Sequence, residues 1–130
     1  MDVANVMGSR PDGWWRDRAG AALRLHGQLD ELAPRGVPDL PDELALPPLT
    51  RWFPDFVLVV EGAARRAEFG PAQRVRVVSA PGSGDDAIVA AAAAAPAPRL
   101  VVTADRELRR RCQAVGAAVA GPGWLLGLLA

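Results

Sequence analysis

The sequence predicts an α/β domain built around a mostly parallel sheet, and three observations support that class. Two short runs, Phe56–Val60 and Leu100–Thr103, are almost entirely apolar, which is typical of strands buried on both faces of a parallel sheet. Candidate strands and helices alternate along the chain, an order that favours right-handed crossovers. The 130 residues are half apolar and 23% charged, the composition of one globular domain spanning 1–130.

The chain opens on an apolar run followed by a helical pattern. Val3–Met7 is interpreted as the remnant of a first strand, which the Gly- and Pro-containing loop after it ends. Asp12 is expected to cap a helix of about five turns, because apolar residues then recur at three- and four-residue steps. That stripe consists of Trp15, Ala19, Ala22, Leu25, Leu29 and Leu32, and the helix is expected to end at Pro34 and Gly36.

The rest of the chain alternates more regularly. Residues 34–54 contain six prolines and no clear periodicity, which predicts a semi-rigid connector, with one helical turn allowed around Asp42–Leu46. The predicted elements after it are a strand at 56–60, a short helix at 63–68, an edge strand at 75–79, a helix at 85–95, a strand at 100–103, a helix at 106–115, a strand at 117–120 and a closing helix at 122–129.

Composition excludes several classes of protein. The formal net charge is zero, so the chain is neither a strongly basic nucleic-acid binder nor an acidic tail. Cys112 is the single cysteine, is expected to be a small buried helix residue, and indicates a reducing, cytoplasmic environment. No signal peptide is predicted, and the apolar run at 124–130 is shorter than the ~20 residues that span a bilayer.

Acidic residues occur where predicted strands pass into loops or helices. Because the carboxyl ends of parallel strands meet at one edge of a sheet, these side chains are expected to converge there. They are Asp2 with Asn5, Glu61, Asp85 with Asp86, and Asp105. Carboxylates from different strand ends suit Mg²⁺ or Mn²⁺, which prefer oxygen ligands. A divalent metal site at this edge is therefore predicted.

Each acid also has a purely structural interpretation. Asp105 could be a helix N-cap, and the adjacent Asp85 and Asp86 could complement a helix dipole. Glu61 could be a solvated residue at a strand end, and Asp2 could be poorly ordered beside Met1. His26, on the first long helix among polar residues, is expected to be a solvated residue rather than a catalytic base.

Three motifs, in order, resemble one family. Asp2-Val-Ala-Asn-Val resembles the opening Asp-x-x-Asn motif of NYN domains, the nuclease branch of the PIN-like superfamily, and in particular the bacterial YacP-like group. Gly84-Asp-Asp-Ala-Ile-Val is similar to their Asp-Asp-x-x-Ile helix start. Val101-Val-Thr-Ala-Asp-Arg-Glu-Leu resembles their strand that ends in Thr/Ser-x-Asp. The set spans nearly the whole chain.

The resemblance implies a PIN-like three-layer fold and an acidic Mg²⁺ or Mn²⁺ pocket that cleaves RNA with a metal-activated water. Carried over by motif, Asp2, Asp86 and Asp105 would be metal ligands, and Asp86 is expected to be essential. Asp85 would be a ligand or an acid just outside the ligand shell, Asn5 an orienting hydrogen bonder, and Glu61 a further candidate. In such domains several apolar residues precede the first Asp, whereas here only Met1 does. A truncated first strand and a native start upstream are therefore expected.

Contacts to RNA are assigned to the region after the first motif. Arg10, Arg16 and Arg18 are candidates to grip phosphates, and Trp14 or Trp15 to stack on a base. The alternative is that Trp15 anchors the helix to the core and the arginines are solvated. RNA is the expected substrate, no membrane partner is expected, and a homodimer stays open. Two other functions also stay open, a small-nucleotide phosphohydrolase resembling nucleoside triphosphate pyrophosphohydrolases and a non-catalytic RNA-binding or regulatory module.

Overall fold

A computed structural model of the chain describes residues 1–10, 12–38, 40–41, 44, 46 and 51–129. These residues form a mixed α/β arrangement of five α-helices and two pairs of strands. The helices are α1 (Val3–Gly8), α2 (Arg18–Arg35), α3 (Gly84–Ala94), α4 (Arg106–Ala114) and α5 (Pro122–Leu129). The strands are β1 (Phe56–Val60), β2 (Val75–Ser79), β3 (Leu100–Val102) and β4 (Ala118–Ala120). The α/β class is confirmed.

Both strand pairs are parallel, as predicted. Phe56 of β1 pairs with Val75 of β2, and β3 pairs in the same sense with β4. The first two residues lie between the pairs. The carbonyl of Met1 accepts a hydrogen bond from the Val59 amide at 3.0 Å, and the Asp2 amide donates to the Val102 carbonyl at 3.1 Å. Two residues therefore connect β1 to β3 across the middle of the arrangement.

The prediction of a strand at Val3–Met7 is wrong, because this run forms α1. Asp2 caps the helix, since its side chain accepts a hydrogen bond from the Asn5 amide at 3.3 Å. Val6 and its apolar neighbours Val3 and Met7 are buried at helical spacing. An apolar run of this length does not distinguish a strand from a buried helix by periodicity alone.

The long first helix was predicted correctly, but its start was placed too early. Trp14–Arg16 form a 3₁₀ turn, and α2 begins at Arg18. Asp17, rather than Asp12, is the cap, and its Oδ1 accepts from the Gly20 amide at 2.9 Å. Trp15 lies before the helix and is 55% exposed, so it does not anchor α2 to the core.

His26 is buried, which corrects its assignment as a solvated residue. Only 7% of it is exposed, and its ring centroid lies 5.1 Å from that of Phe69. It therefore belongs to the buried face of α2, whose other members are Ala21, Ala22, Leu25, Leu29, Leu32 and Ala33.

The connector folds back on itself at its two ends. Val37 and Trp52 form an isolated antiparallel bridge, with the Val37 amide donating to the Trp52 carbonyl at 2.7 Å. Gly36 permits this closure because its φ is 75° and a Cβ there would lie 2.8 Å from the Phe53 ring. The helical turn expected around 42–46 lies outside the described residues, apart from Leu44 and Leu46.

Apolar residues of the strands face two separate clusters. Successive residues alternate, so Leu58 and Val102 join the cluster that contains α1 and α2 residues, whereas Val59 and Val101 join the cluster that contains α3 and α4 residues. Cys112 is fully buried in the second cluster, as expected. In the described part of the chain, no helix combines the length and the apolar character that crossing a membrane requires.

Candidate functional site

Asp2 is the most enclosed of the acids singled out from the sequence. It is 8% exposed, and Oδ2 accepts a hydrogen bond from the Thr103 hydroxyl at 2.9 Å. The Thr103 oxygen in turn accepts from the Asp105 amide at 3.2 Å. Asp2 and the loop that carries Asp105 are thereby joined through one buried hydroxyl group.

Asn5 strengthens the same connection. Its side-chain Oδ1 accepts a hydrogen bond from the Ala104 amide at 2.8 Å, so α1 is tied to the loop between β3 and α4. Asp105 follows directly and caps α4, because its Oδ1 accepts from the Leu108 amide at 3.0 Å. Asn5 therefore orients the segment that presents Asp105, whose side chain is exposed.

Glu61 caps a helix that belongs to another part of the chain. Its carboxylate accepts a hydrogen bond from the amide of Gly84, the first residue of α3, while the Ser83 side chain makes no capping bond. A Cβ at Gly84 would lie 3.4 Å from the Glu61 carboxylate. Glu61 is half-buried and holds α3 against the end of β1, so it is more than a solvated strand end.

The two adjacent acids of α3 point in different directions. The Asp86 side chain is 87% exposed. Its Oδ1 accepts a hydrogen bond from Nη2 of Arg111 at 2.7 Å. Asp85 is half-buried and lies near the other acids. Successive helix residues are separated by about 100° of rotation, so only one of the pair can face the edge at which the strands end. The structure brings Asp85 to that edge.

Burial and two neighbouring charges act on the pKa of Asp2. Burial raises the pKa of this carboxyl group above its ordinary value, and the negative charges of Asp85 and Glu61 raise it further. Hydrogen bonds from Thr103 and from the Asn5 amide oppose the shift. Asp2 is therefore held near two other carboxylates that come from different elements.

Asp85 has a similar environment. Burial raises the pKa of its carboxyl group, and the charges of Asp105, Glu61 and Asp86 add to the effect. The Arg111 guanidinium acts in the opposite direction. The residues that share this environment define the acidic edge, which consists of Asp2, Glu61, Asp85 and Asp105.

The donor set of the acidic edge fits a hard divalent cation, because every candidate ligand is a carboxylate oxygen. Among the described residues, helix capping occupies one carboxylate oxygen of Asp105 and one of Glu61. Within the described ranges, no three His, Cys, Asp or Glu side chains are grouped closely enough to hold an ion as they stand. Binding would require these carboxylates to move closer together.

The raised pKa values predict pH-dependent metal binding. Mn²⁺ bound at these carboxylates would compete with protons for Asp2 and Asp85, so its apparent affinity is expected to fall from neutral to mildly acidic pH. Calorimetric titration in buffers of different ionisation enthalpy should detect the released protons.

The stability of the metal-free protein is expected to depend on pH in the opposite direction. A raised folded pKa contributes stability to the fold below the ordinary Asp pKa of about 3.9, and this contribution is lost as pH rises through the folded pKa.

The matched variant for pH-dependent metal binding is Thr103→Val. It removes the hydroxyl that lowers the pKa of Asp2, so the loss of Mn²⁺ affinity should begin at a higher pH than in the wild type. Mn²⁺ affinity that is independent of pH in both proteins would contradict a site that uses these carboxylates.

The candidate RNA-binding residues lie on two sides of the tryptophan pair. Trp14 lines a groove of about 340 Å³ together with Arg18, whose guanidinium carbon is 5.2 Å from the Trp14 ring centroid. Arg16 instead lies 5.8 Å from the ring centroid of the exposed Trp15. Arg10 donates to Oε1 of Gln28 at 2.7 Å. The structure thus groups Trp14 with Arg18, apart from the other two arginines.

Two residues of this site were missed from the sequence. Thr103 entered only as the end of an apolar run and as a member of a motif, and its place in Thr-x-Asp, between β3 and Asp105, was the signal that could have identified it. Arg111 lies within the predicted helix at 106–115, and its pairing with Asp86, 25 residues away, has no local sequence signal.

No family model matches the chain, and no curated protein or solved structure is significantly similar to it. The resemblance to NYN domains therefore depends on the three motifs. What this structure adds is the geometry of the residues in those motifs.

Proposed function

We propose that the chain is a metal-dependent ribonuclease of PIN-like architecture that hydrolyses RNA phosphodiester bonds at the acidic edge. The observation that carries the proposal is that four separate segments bring carboxylates to one edge, where burial, and after it the neighbouring negative charges, raise the pKa of Asp2 and of Asp85. Like charges held together by a fold are stabilised when a cation binds between them. The four carboxylates of the acidic edge also lie where strands end, which is the place at which ligands bind in parallel α/β sheets.

The proposed ligands are Asp2, Asp85 and Asp105, with Glu61 beside them. Asp86, the ligand expected from the motif, is replaced by Asp85 because the Asp86 carboxylate pairs with Arg111. A divalent cation held there would neutralise negative charge on a phosphodiester and lower the pKa of a bound water.

The chain's own residues supply the order of the site. Asp2 is fixed by two hydrogen bonds, one from Thr103 and one from the Asn5 amide, so its carboxylate does not need to be ordered when a cation binds. Asn5 fixes the loop before Asp105. A PIN-like three-layer arrangement is part of the proposal, and it is supported by the two apolar clusters to which alternate strand residues contribute.

Neighbouring variants in α3 test the ligand assignment. Mutating a residue that only hydrogen-bonds to a metal ligand already lowers metal affinity or activity by roughly 10- to 100-fold. Asp85→Asn removes a proposed ligand itself, so it should reduce Mn²⁺-dependent cleavage by at least about 100-fold. Asp86→Asn should reduce it by less than about 10-fold, since it removes only an exposed pairing with Arg111. The measurements are cleavage of a labelled oligoribonucleotide and calorimetric titration with Mn²⁺.

The same assay separates the other functions. Hydrolysis of nucleoside triphosphates in place of the oligoribonucleotide would identify a small-nucleotide phosphohydrolase. The absence of Mn²⁺ binding would leave only a non-catalytic module. If Asp86→Asn abolished cleavage while Asp85→Asn remained active, the ligand assignment within α3 would be reversed.

A further inference from the structure

We infer that the groove beside the acidic edge binds one unpaired nucleotide, with its base against Trp14 and its phosphate beside Arg18. The inference rests on the proposed function in taking an RNA strand as the ligand. It adds a defined subsite for the nucleotide that neighbours the cleaved bond.

The shape of the groove suits a single nucleotide. Its volume of about 340 Å³ lies at the small end of the range of roughly 300–1,000 Å³ for small-molecule sites. Apolar atoms of Ala4, Met7 and Ala64 line part of it. Gly82 leaves its rim open, since a Cβ there would meet nothing within 4 Å. A base that enters must be unstacked from its neighbours, which favours single-stranded RNA.

Trp14 provides an aromatic surface whose position is already fixed. The indole is half-buried, packs against the core cluster of α1 and α2, and meets Trp15 edge to face with 6.2 Å between ring centroids. Bases of every kind stack on aromatic side chains, so this contact gives affinity without strong sequence preference. Trp15 is exposed and lies outside the groove lining.

Arg18 provides the charge that a phosphate needs. Its guanidinium lies by the Trp14 ring, and among the described residues it takes part in no ion pair. A guanidinium stacked on an aromatic ring keeps donors free for phosphate oxygens. Base and phosphate of one nucleotide would thus meet two adjacent side chains.

The groove is continuous with the acidic edge. Glu61 lines the groove and is also the residue that caps α3 beside Asp85. Ser83, which precedes α3, lines the same wall. A strand whose nucleotide occupied the groove would therefore pass its next phosphate along Glu61 to the proposed metal ligands.

The test uses full-length protein in EDTA, where cleavage is not expected. Binding of fluorescein-labelled hexaadenylate is followed by polarisation, with adenosine and ribose 5-phosphate as competitors. Trp14→Leu keeps apolar bulk but removes the aromatic face, and should weaken the binding of hexaadenylate and of adenosine by about tenfold. Arg18→Gln should weaken the binding of hexaadenylate and of ribose 5-phosphate while leaving the binding of adenosine unchanged. Phe53→Leu, at an exposed aromatic residue outside the groove lining, and Arg16→Gln are the matched controls and should bind like wild type.

A second measurement guards against misfolding of Trp14→Leu. In wild-type protein, adenosine should shift the NMR signal of the Trp14 indole N–H, whereas those of Trp52 and Trp124 should stay in place. Unchanged binding by Trp14→Leu, or an unmoved Trp14 signal, would overturn the inference. Failure of the proposed function looks different, because Mn²⁺ binding and cleavage would be lost while adenosine still bound at Trp14.

Discussion

Asp2→Asn is expected to abolish Mn²⁺ binding and to reduce cleavage by at least about 1,000-fold. When several residues act together in catalysis, removing one of them removes most of the rate enhancement that the set provides. Asp2 is the most buried acid of the acidic edge. Asn has nearly the same volume and is an equally good N-cap, so α1 should keep its first turn. The substitution removes the charge and reverses the hydrogen bond to Thr103, because the Asn amide group would donate where Oδ2 accepts.

The stability of the metal-free protein should not fall in this variant. Burial raises the pKa of Asp2, which means that the ionised carboxylate is unfavourable in the folded chain at neutral pH. Thermal unfolding in EDTA should therefore give a midpoint at or above that of the wild type. Such a gain is the usual consequence of removing a strained functional group.

The control for Asp2 is Asp12→Asn. Asp12 is an exposed residue 3.7 Å from the Arg24 guanidinium, a pair of the kind that contributes about 0–1 kcal/mol. It should leave Mn²⁺ binding and cleavage unchanged. Full Mn²⁺ affinity in Asp2→Asn would show that Asp2 is not a metal ligand, and a large fall in its metal-free stability would contradict an unfavourable buried charge at this position.

Leu58→Ala is expected to lower the free energy of unfolding by about 2–5 kcal/mol. Leu58 is fully buried at the centre of β1, and that strand has β2 on one side and Met1 and Asp2 on the other. The cavity would therefore open in the middle of the parallel arrangement, where neighbouring strands cannot easily close on it. Urea denaturation followed by circular dichroism gives the measurement.

Leu23→Ala is the matched change at an exposed site. Leu23 lies on α2 and is 39% exposed, so its truncation should change the free energy of unfolding by no more than about 0.5 kcal/mol. Equal effects of the two substitutions would contradict a core centred on β1.

Local patterns were sufficient to predict most of the helices and strands. The apolar run at 56–60 and the Pro-started helix at 122–129 were predicted with the bounds that the structure has, because their signals lie within the segments themselves. Val3–Met7 failed because a short apolar run suits either kind of element. His26 failed because its neighbours in sequence are polar, although it lies four residues after Ala22 and three before Leu29, on the face of the predicted apolar stripe.

The candidate site divides in the same way. Motif order identified the segments that deliver the acids, since strand ends of a parallel sheet share one edge. It did not identify which of Asp85 and Asp86 turns toward that edge, because the choice depends on the docking of α3 and on Arg111 from α4. Side-chain direction on a helix is a tertiary property.

The bond from the Gly84 amide to Glu61 has a thermodynamic consequence. It makes the first turn of α3 depend on a carboxylate that also belongs to the acidic edge. Any event that changes the charge or position of that carboxylate also changes the free energy of docking the helix that carries Asp85. By linkage the influence is reciprocal, so helix docking and occupancy of the edge form one coupled equilibrium.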